Sequence, residues 1–286
     1  MKKPIKTKFS PMLAHVVAKD TIKYGLNTFI QPKLDGIRCY ITKDGAFSRN
    51  HNRFYNLQHI VDELKPVFDY APELIFDGEI YNHDLKDDFN TIISIARWKN
   101  IDEEKAQMSK DMLEFHCYDC VDLTRPELSY LERLDIIRHV VEYKYKLKHT
   151  KTDTTRGVNT HEIALAIHRG NKNMGYEGSI IRNNNSYECK RSKNLIKFKD
   201  FADAEARVVG WVEGFGKRDG TIGKFLCEDS DGIRFGVPVM ESYEIMKEMF
   251  NIAEWYVGKE ITFTYFQRTK GGSYRHPLFK AVRNYE

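Results

Sequence analysis

The sequence predicts an α+β protein in two parts, and three observations carry that prediction. Apolar residues fill 41% of its 286 positions and aromatics 13%, enough for a packed core in one large domain or two ordinary ones. Up to about Asp200, stretches of period-2 alternation trade places with stretches of helical spacing. Beyond Asp200, short strand-like segments separated by glycine-rich turns dominate. The expected boundary therefore divides residues 1–201 from residues 202–286.

In the first part, Thr28-Phe29-Ile30 opens a strand region running to residue 50. Cys39-Tyr40-Ile41 and Ala46-Phe47-Ser48 are joined there by a turn at Asp44-Gly45, a hairpin signal. Leu57, Ile60, Val61, Leu64, Val67 and Phe68 recur at helical spacing, so 57–70 is expected to be a helix. Leu74 to Tyr81 and Glu114 to Val121 are expected strands. Phe89–Trp98, Tyr130–Tyr143 and Thr160–His168 are expected helices, followed by strands at 179–181 and 195–199. In the second part the strands are Ala206–Val212, Lys224–Glu228, Ile233–Val237 and Glu260–Phe266, with one helix from Ser242 to Trp255. Short strands and one helix in that order suit a small Greek-key barrel such as an OB-fold.

Composition narrows the function classes. A balance of 45 basic and 41 acidic residues leaves a net charge of +4, compatible with a polyanionic partner. The basic start, Met1 to Lys8, lacks the apolar stretch of a signal peptide, and no run reaches membrane-spanning length. Five scattered cysteines (39, 117, 120, 189, 227) suit a reducing cytoplasm. Cys117 and Cys120 form a single CxxC, but on a regular strand they would face opposite sides, and no second pair completes a zinc site.

The chemistry concentrates in a few motifs. Gln31-Pro32-Lys33-Leu34-Asp35-Gly36-Ile37-Arg38 puts a lysine in a tight turn, followed by an acid, a glycine permitting unusual backbone angles, and an arginine. It is either a charged surface hairpin or a nucleophilic lysine among phosphate-binding groups, since a free lysine is almost wholly protonated at pH 7. Asp77 and Glu79 share one face of their expected strand and could bind a ribose hydroxyl or a metal. Tyr118-Asp119 offers an aromatic platform beside an acid. Glu177-Gly178 opens a strand with a carboxylate suited to Mg²⁺. In Leu195-Ile196-Lys197-Phe198-Lys199, alternation puts Lys197 and Lys199 on one face, where an anion between them would relieve their repulsion. The second part carries a basic loop, Gly214 to Gly220 with Lys217 and Arg218, and later Tyr274-Arg275-His276-Pro277 and Arg283.

In order and spacing, these motifs together with Ser48-Arg49 resemble the covalent nucleotidyltransferases: ATP-dependent DNA ligases, RNA ligases and mRNA capping enzymes. Within that superfamily the chain looks like a minimal ATP-dependent DNA ligase of the bacteriophage type. Pro11-Met12-Leu13-Ala14, the Gly-Lys-Arg loop and Arg275-His276-Pro277 add to the likeness. The resemblance implies a nucleotidyltransferase (ATP-grasp-like) domain of antiparallel sheets and helices followed by an OB-fold domain. It implies that Lys33 attacks the α-phosphate of ATP and carries AMP. It implies that Gln31 contacts adenine, Tyr118 stacks on it, and Arg38 and Glu79 meet the ribose. Glu177 with Mg²⁺ or Mn²⁺, Lys197 and Lys199 would stabilise the α-phosphate, with Asp77 as a further metal-facing acid. Asp35, Arg49, Asp77 and Arg191 would act at the nick, Lys217, Arg218 and Arg275 on DNA, and Arg283 on ATP. The implied partner is nicked double-stranded DNA, bound by a monomer in the cytoplasm (the host's, for a viral protein).

The alternatives are an RNA ligase, a GTP-using capping nucleotidyltransferase, or a non-catalytic OB-fold nucleic-acid-binding protein. Leu34, Ile37, Ser48-Arg49 and the Gly-Lys-Arg loop favour the DNA ligase, and the presence of every expected lysine speaks against the non-catalytic protein.

Overall fold

The computed structural model describes residues 9–17, 21–269 and 271–283; the basic stretch Met1–Lys8 lies outside them. The chain forms two compact units, residues 1–198 and 199–286, so the division falls three residues before the expected one.

The first unit contains, in chain order, β1 (Leu13–Val16), β2 (Thr28–Lys33), β3 (Ile37–Thr42), β4 (Gly45–Ser48), β5 (Arg53–Phe54), α1 (Gln58–Tyr70), β6 (Leu74–Tyr81), α2 (Phe89–Arg97), α3 (Glu103–Met112), β7 (Glu114–Asp122), α4 (Tyr130–Arg138), β8 (Thr150–Thr152), β9 (Arg156–Gly157), α5 (His161–Asn173), β10 (Gly178–Asn183) and β11 (Arg191–Phe198). Two sheets result, with strand orders β1-β11-β10-β2-β9 and β5-β4-β3-β6-β7-β8. Only β1–β11 and β7–β8 pair in parallel; the remaining ladders are antiparallel.

Each sheet buries one face. Helix α1 lays Ile60, Leu64, Val67 and Phe68 onto the six-stranded sheet, into a core shared with Cys39, Ile41, Phe76, Ile80 and Phe115. Truncating one of these, such as Leu64→Ala, would cost about 2–5 kcal/mol. Helix α5 covers one face of the five-stranded sheet, where Ala164 meets Ile30, Ile181, Ile196 and Phe198. The opposite faces supply the site.

Several elements differ from expectation for identifiable reasons. The hairpin turn is Lys43-Asp44, because Thr42 pairs with Gly45, whose φ of +130° suits glycine. Gly36 is not at positive φ. Its role is close approach, since a Cβ there would lie 2.3 Å from the Ile80 carbonyl oxygen. Helix α3 carries no apolar stripe and buries only Ser109, so periodicity could not reveal it. The second half of the expected 130–143 helix, residues 139–144, widens into a π-helical turn.

The second unit contains β12 (Ala202–Glu213), β13 (Ile222–Glu228), β14 (Arg234–Pro238), α6 (Tyr243–Asn251), α7 (Ala253–Tyr256), β15 (Glu260–Tyr265), β16 (Gln267–Arg268), β17 (Tyr274–Arg275) and β18 (Leu278–Val282). Its sheet runs β14-β13-β12-β15-β18, with β16–β17 as a separate ribbon. No ladder closes β14 onto β18 among the described residues, so the unit is an OB-like sheet rather than the closed barrel expected. Val208, Phe225, Val237, Ile261 and Phe263 fill its core against Met246 and Met249 of α6.

Candidate active site

Strand register alone puts the first half of the site on one face of the five-stranded sheet. Ile180 of β10 lies opposite Gln31 of β2 and opposite Lys197 of β11, while Gly178 lies opposite Lys33. Alternation then aligns Gln31 and Lys33, Ile180 and Arg182, and Leu195 and Lys197 on the side away from α5. The six-stranded sheet supplies Arg38, Glu79 and Tyr118. Together these residues line one pocket with Leu13, Ala14, Arg49 and Arg191 at its rim.

A β-bulge aims the aromatic residue. Gly78 pairs with Cys117 but Asp77 pairs with Asp119, so Tyr118 is the extra residue. One inserted residue resets the alternation. Cys117 and Cys120 consequently enter the same core cluster, where regular alternation predicted opposite faces. Tyr118 lines the pocket, and Asp119 turns to buried arginines.

Beneath the pocket lies a satisfied ionic layer. Asp119 is completely buried and accepts from Arg133 Nε at 2.7 Å and from Arg182 Nη1. Arg182 Nε also donates to Gln31 Oε1 at 3.1 Å, and Gln31 Nε2 donates to Thr155 Oγ1 at 3.0 Å. The guanidinium groups of Arg38 and Arg182 lie 5.2 and 5.8 Å from the centre of the Tyr118 ring. The sequence motifs revealed neither Arg182, Arg133 nor Thr155 as site residues, because each works through a partner distant in sequence.

Lys33 and Glu177 meet directly: Nζ donates to the Glu177 carboxylate, while the Glu177 backbone N–H donates to the Lys33 carbonyl at 3.0 Å. Glu177 is thus in place beside the lysine. Asp77 departs from its expected metal and nick roles. Its two oxygens accept from Arg38 Nε at 2.7 Å, Arg38 Nη2 at 2.5 Å and the Tyr187 hydroxyl at 2.6 Å, and it is buried. With both oxygens engaged, Asp77 acts as the anchor of Arg38. Glu79 accepts from the Tyr118 hydroxyl at 3.3 Å.

The electrostatics follow from burial and crowding. Burial lifts the Glu79 carboxyl to about 7 against the pull of Lys33 and Arg38. Burial, and then the cations Lys33, Arg191, Arg49 and Arg38, lower the Lys197 ammonium. Burial works against the Arg38 charge, but Asp77 outweighs it and raises the guanidinium further. The pocket therefore holds an excess of positive charge awaiting an anion.

The other expected residues fall outside this pocket. Strand β11 ends at Phe198, so Lys199 does not continue the Lys197 face; it belongs to the second unit, with its ammonium 4.4 Å from the centre of the Phe266 ring. Arg283, expected on the nucleotide, pairs with Glu205 within the second unit. Lys217 and Arg218 form a short helical turn there, and Arg275 lies 5.9 Å from the Phe266 ring centre. Asp35 sits in the turn between β2 and β3 and is not among the pocket-lining residues. Arg191 is tied to the Ala14 carbonyl at 2.5 Å.

Among the described residues no three His, Cys, Asp or Glu side chains converge as a metal cage. The donor set fits a divalent ion shared with substrate phosphates, which Mg²⁺ commonly accepts with one or two carboxylates. No helix among the described residues is long and apolar enough to cross a membrane.

Comparison with known proteins agrees with the geometry. The DNA ligase of African swine fever virus (isolate Warthog/Namibia/Wart80/1980) is 25% identical over 276 residues, covering 89% of this chain and 64% of its own length. The chain thus spans about 64% of the length of that relative. The DNA ligase of Haemophilus influenzae is 24% identical over 203 residues, 70% of this chain and 68% of that protein. A solved Lig E DNA ligase, described as DNA binding with a minimal scaffold, shares the fold with a TM-score of 0.77 at 23% identity, covering 96% of this chain and 99% of the other. A DNA ligase OB-like domain matches residues 213–283. The ATP dependent DNA ligase domain matches residues 11–199, more than half of the chain, and the chain belongs to that family.

Proposed function

We propose that this protein seals nicks in duplex DNA with ATP, through AMP carried on Lys33. One observation supports this most strongly: Lys33, Arg38, Arg49, Arg182, Arg191 and Lys197 line a single pocket with Tyr118, a combination suited to a phosphate chain and a stacked base. Nζ of Lys33 bonds to the α-phosphorus while the bond to the bridging oxygen of pyrophosphate breaks. Attack requires Nζ to lose its proton, and Glu177 is the acceptor in contact with it. Lys197 and Arg191 neutralise charge that grows on the α-phosphate, the main task in such transfers. A divalent ion held by Glu177 and the phosphates would add Lewis-acid charge there. Glu79 and Arg38 are available to the ribose, and Tyr118 with Ile180 to the two faces of the base.

The second and third steps pass AMP to a DNA 5′-phosphate and let the 3′-hydroxyl displace it. Support for a nucleic-acid partner comes from a groove lined by Arg49, Arg53, Arg97 and Lys99 with Asn50 and Asn52, which shares Arg38 and Arg49 with the lysine pocket. Unpaired cations along a groove suit a sugar–phosphate backbone. Lys217, Arg218 and Arg275 are proposed as further DNA contacts of the second unit.

The test is covalent labelling with α-labelled ATP, GTP or NAD in the presence of Mg²⁺, followed by denaturing electrophoresis. Label from ATP that is lost in Lys33→Ala is the expected result. Label from GTP alone, or none, would overturn the proposal, and nicked DNA against nicked RNA duplexes distinguishes the two ligase types.

A further inference from the structure

The segment that closes the inner end of the lysine pocket contains a buried acid with no role so far. Strand β8 is the edge of the six-stranded sheet and β9 the edge of the five-stranded sheet, so residues 153–155 cross from one sheet to the other. Lys151 pairs with His116 and Thr152 with Cys117, which brings the next residue, Asp153, beside Tyr118. The Asp153 side chain is 7% exposed. Its Oδ1 bonds His116 Nδ1 at 3.0 Å, while its buried Oδ2 has no hydrogen-bond partner. His116 is itself held by Glu114 at 3.2 Å. A buried carboxylate oxygen without a donor costs free energy unless a ligand or water supplies one.

The neighbouring amide is locked in one sense. Arginine only donates, so Gln31 must present Oε1 to Arg182, which leaves its NH₂ toward Thr155 and the pocket. One N–H is taken by Thr155, and the other remains to donate. Thr155 Oγ1 also lies 3.5 Å from the Asp153 carbonyl, so donor and acceptor converge on the same wall. A fixed donor next to an unpartnered acceptor matches the N1 acceptor and 6-amino donor of adenine. Guanine reverses both groups, presenting N1–H and the 6-oxo oxygen, and would set an acceptor against a carboxylate.

We infer that Asp153 reads the 6-amino group of adenine while Gln31, oriented by Arg182 and Thr155, donates to N1, making this pair the determinant of nucleotide choice. The inference rests on the adenylation proposed above. It assigns specificity to Asp153, not a part in the bond-making step.

The experiment measures kcat/KM for self-labelling of the full chain with α-labelled ATP and with the purine ribonucleoside triphosphate that lacks the 6-amino group. Losing a hydrogen bond to a charged acceptor should cost the wild type about ten- to a hundred-fold on the analogue. In Asp153→Ala that penalty should shrink to less than about threefold, because the acceptor is gone. The penalty is a ratio within one protein, so partial misfolding cancels; Asp153→Asn, close in size, serves as the second variant and should gain use of the 6-oxo analogue relative to ATP. ATP labelling with an equal penalty in wild type and both variants would overturn this inference alone. No labelling of the wild type by ATP would overturn it together with the adenylation on which it rests.

Discussion

The two units both contain arginine-lined hollows, but the charges in them are handled in opposite ways. In the second unit, Arg207 pairs with Glu228, Arg268 with Asp229 and Asp231, and Arg283 with Glu205. Its hollow also exposes Asp203 and Glu260, so it neutralises itself. In the first unit, Asp77 and Asp119 are spent on Arg38, Arg133 and Arg182 below the surface, while Lys197, Arg49 and Arg191 crowd the opening. The lesson is that cation count does not make an anion site. What matters is whether carboxylates of the same unit have already consumed the charge.

Four perturbations test that contrast, taken from the largest expected effect. Asp119→Ala strips the shared acid from two buried arginines, and breaking such a network should cost about 3–5 kcal/mol in denaturant unfolding of the full chain. A loss below 1 kcal/mol would mean that the buried layer is not what holds the pocket floor. Lys197→Ala should slow Lys33 labelling by about a hundred- to a thousand-fold, the usual scale for one preorganised charge at a developing anion. Unchanged single-turnover labelling would remove Lys197 from the site.

The third concerns pH. Burial holds Glu79 protonated up to about 7, above an ordinary carboxyl. The folded state therefore binds more protons than the unfolded state between about pH 4.5 and 7, and stability falls as pH rises through that window. Relative to Glu79→Gln, the wild type should lose about 1–3 kcal/mol from pH 5 to pH 8, read from paired unfolding curves. Parallel curves would contradict the desolvation of Glu79. The smallest effect belongs to the self-neutralised hollow: Arg283→Ala breaks one partly exposed pair and should shift stability by only about 0.2–1 kcal/mol. A larger loss would show that this hollow depends on its arginines as the first unit does.

Much of the site was legible because neighbours in sequence share a strand. Lys33 through Arg38, Asp77 and Glu79, and Lys197 between Ile196 and Phe198 each follow from period-2 alternation along one segment. The failures share a different cause. Lys199 was placed by extending that alternation one residue past the end of β11. The CxxC faces were placed by assuming a regular strand, and the bulge at Tyr118 reset them. Asp77 looked like an open ligand because nothing local shows that Arg38 and Tyr187 saturate it.

The amino-acid sequence by itself determined the order of strands and helices, the lysine and its glycine-bearing turn, and the motif series that marks the ligase family. These are local properties, set by side-chain periodicity and backbone sterics. Only the tertiary structure decided that Asp119 carries Arg133 and Arg182, that Gln31 is locked as a donor, and that Asp153 keeps an oxygen open beside Tyr118. Those pairings join residues 14 to 151 positions apart in hydrogen-bonded networks, from Arg133 with Asp119 to Arg182 with Gln31. Hydrogen-bond partners and burial are set by which strands pair and in what register, and no single segment carries that information.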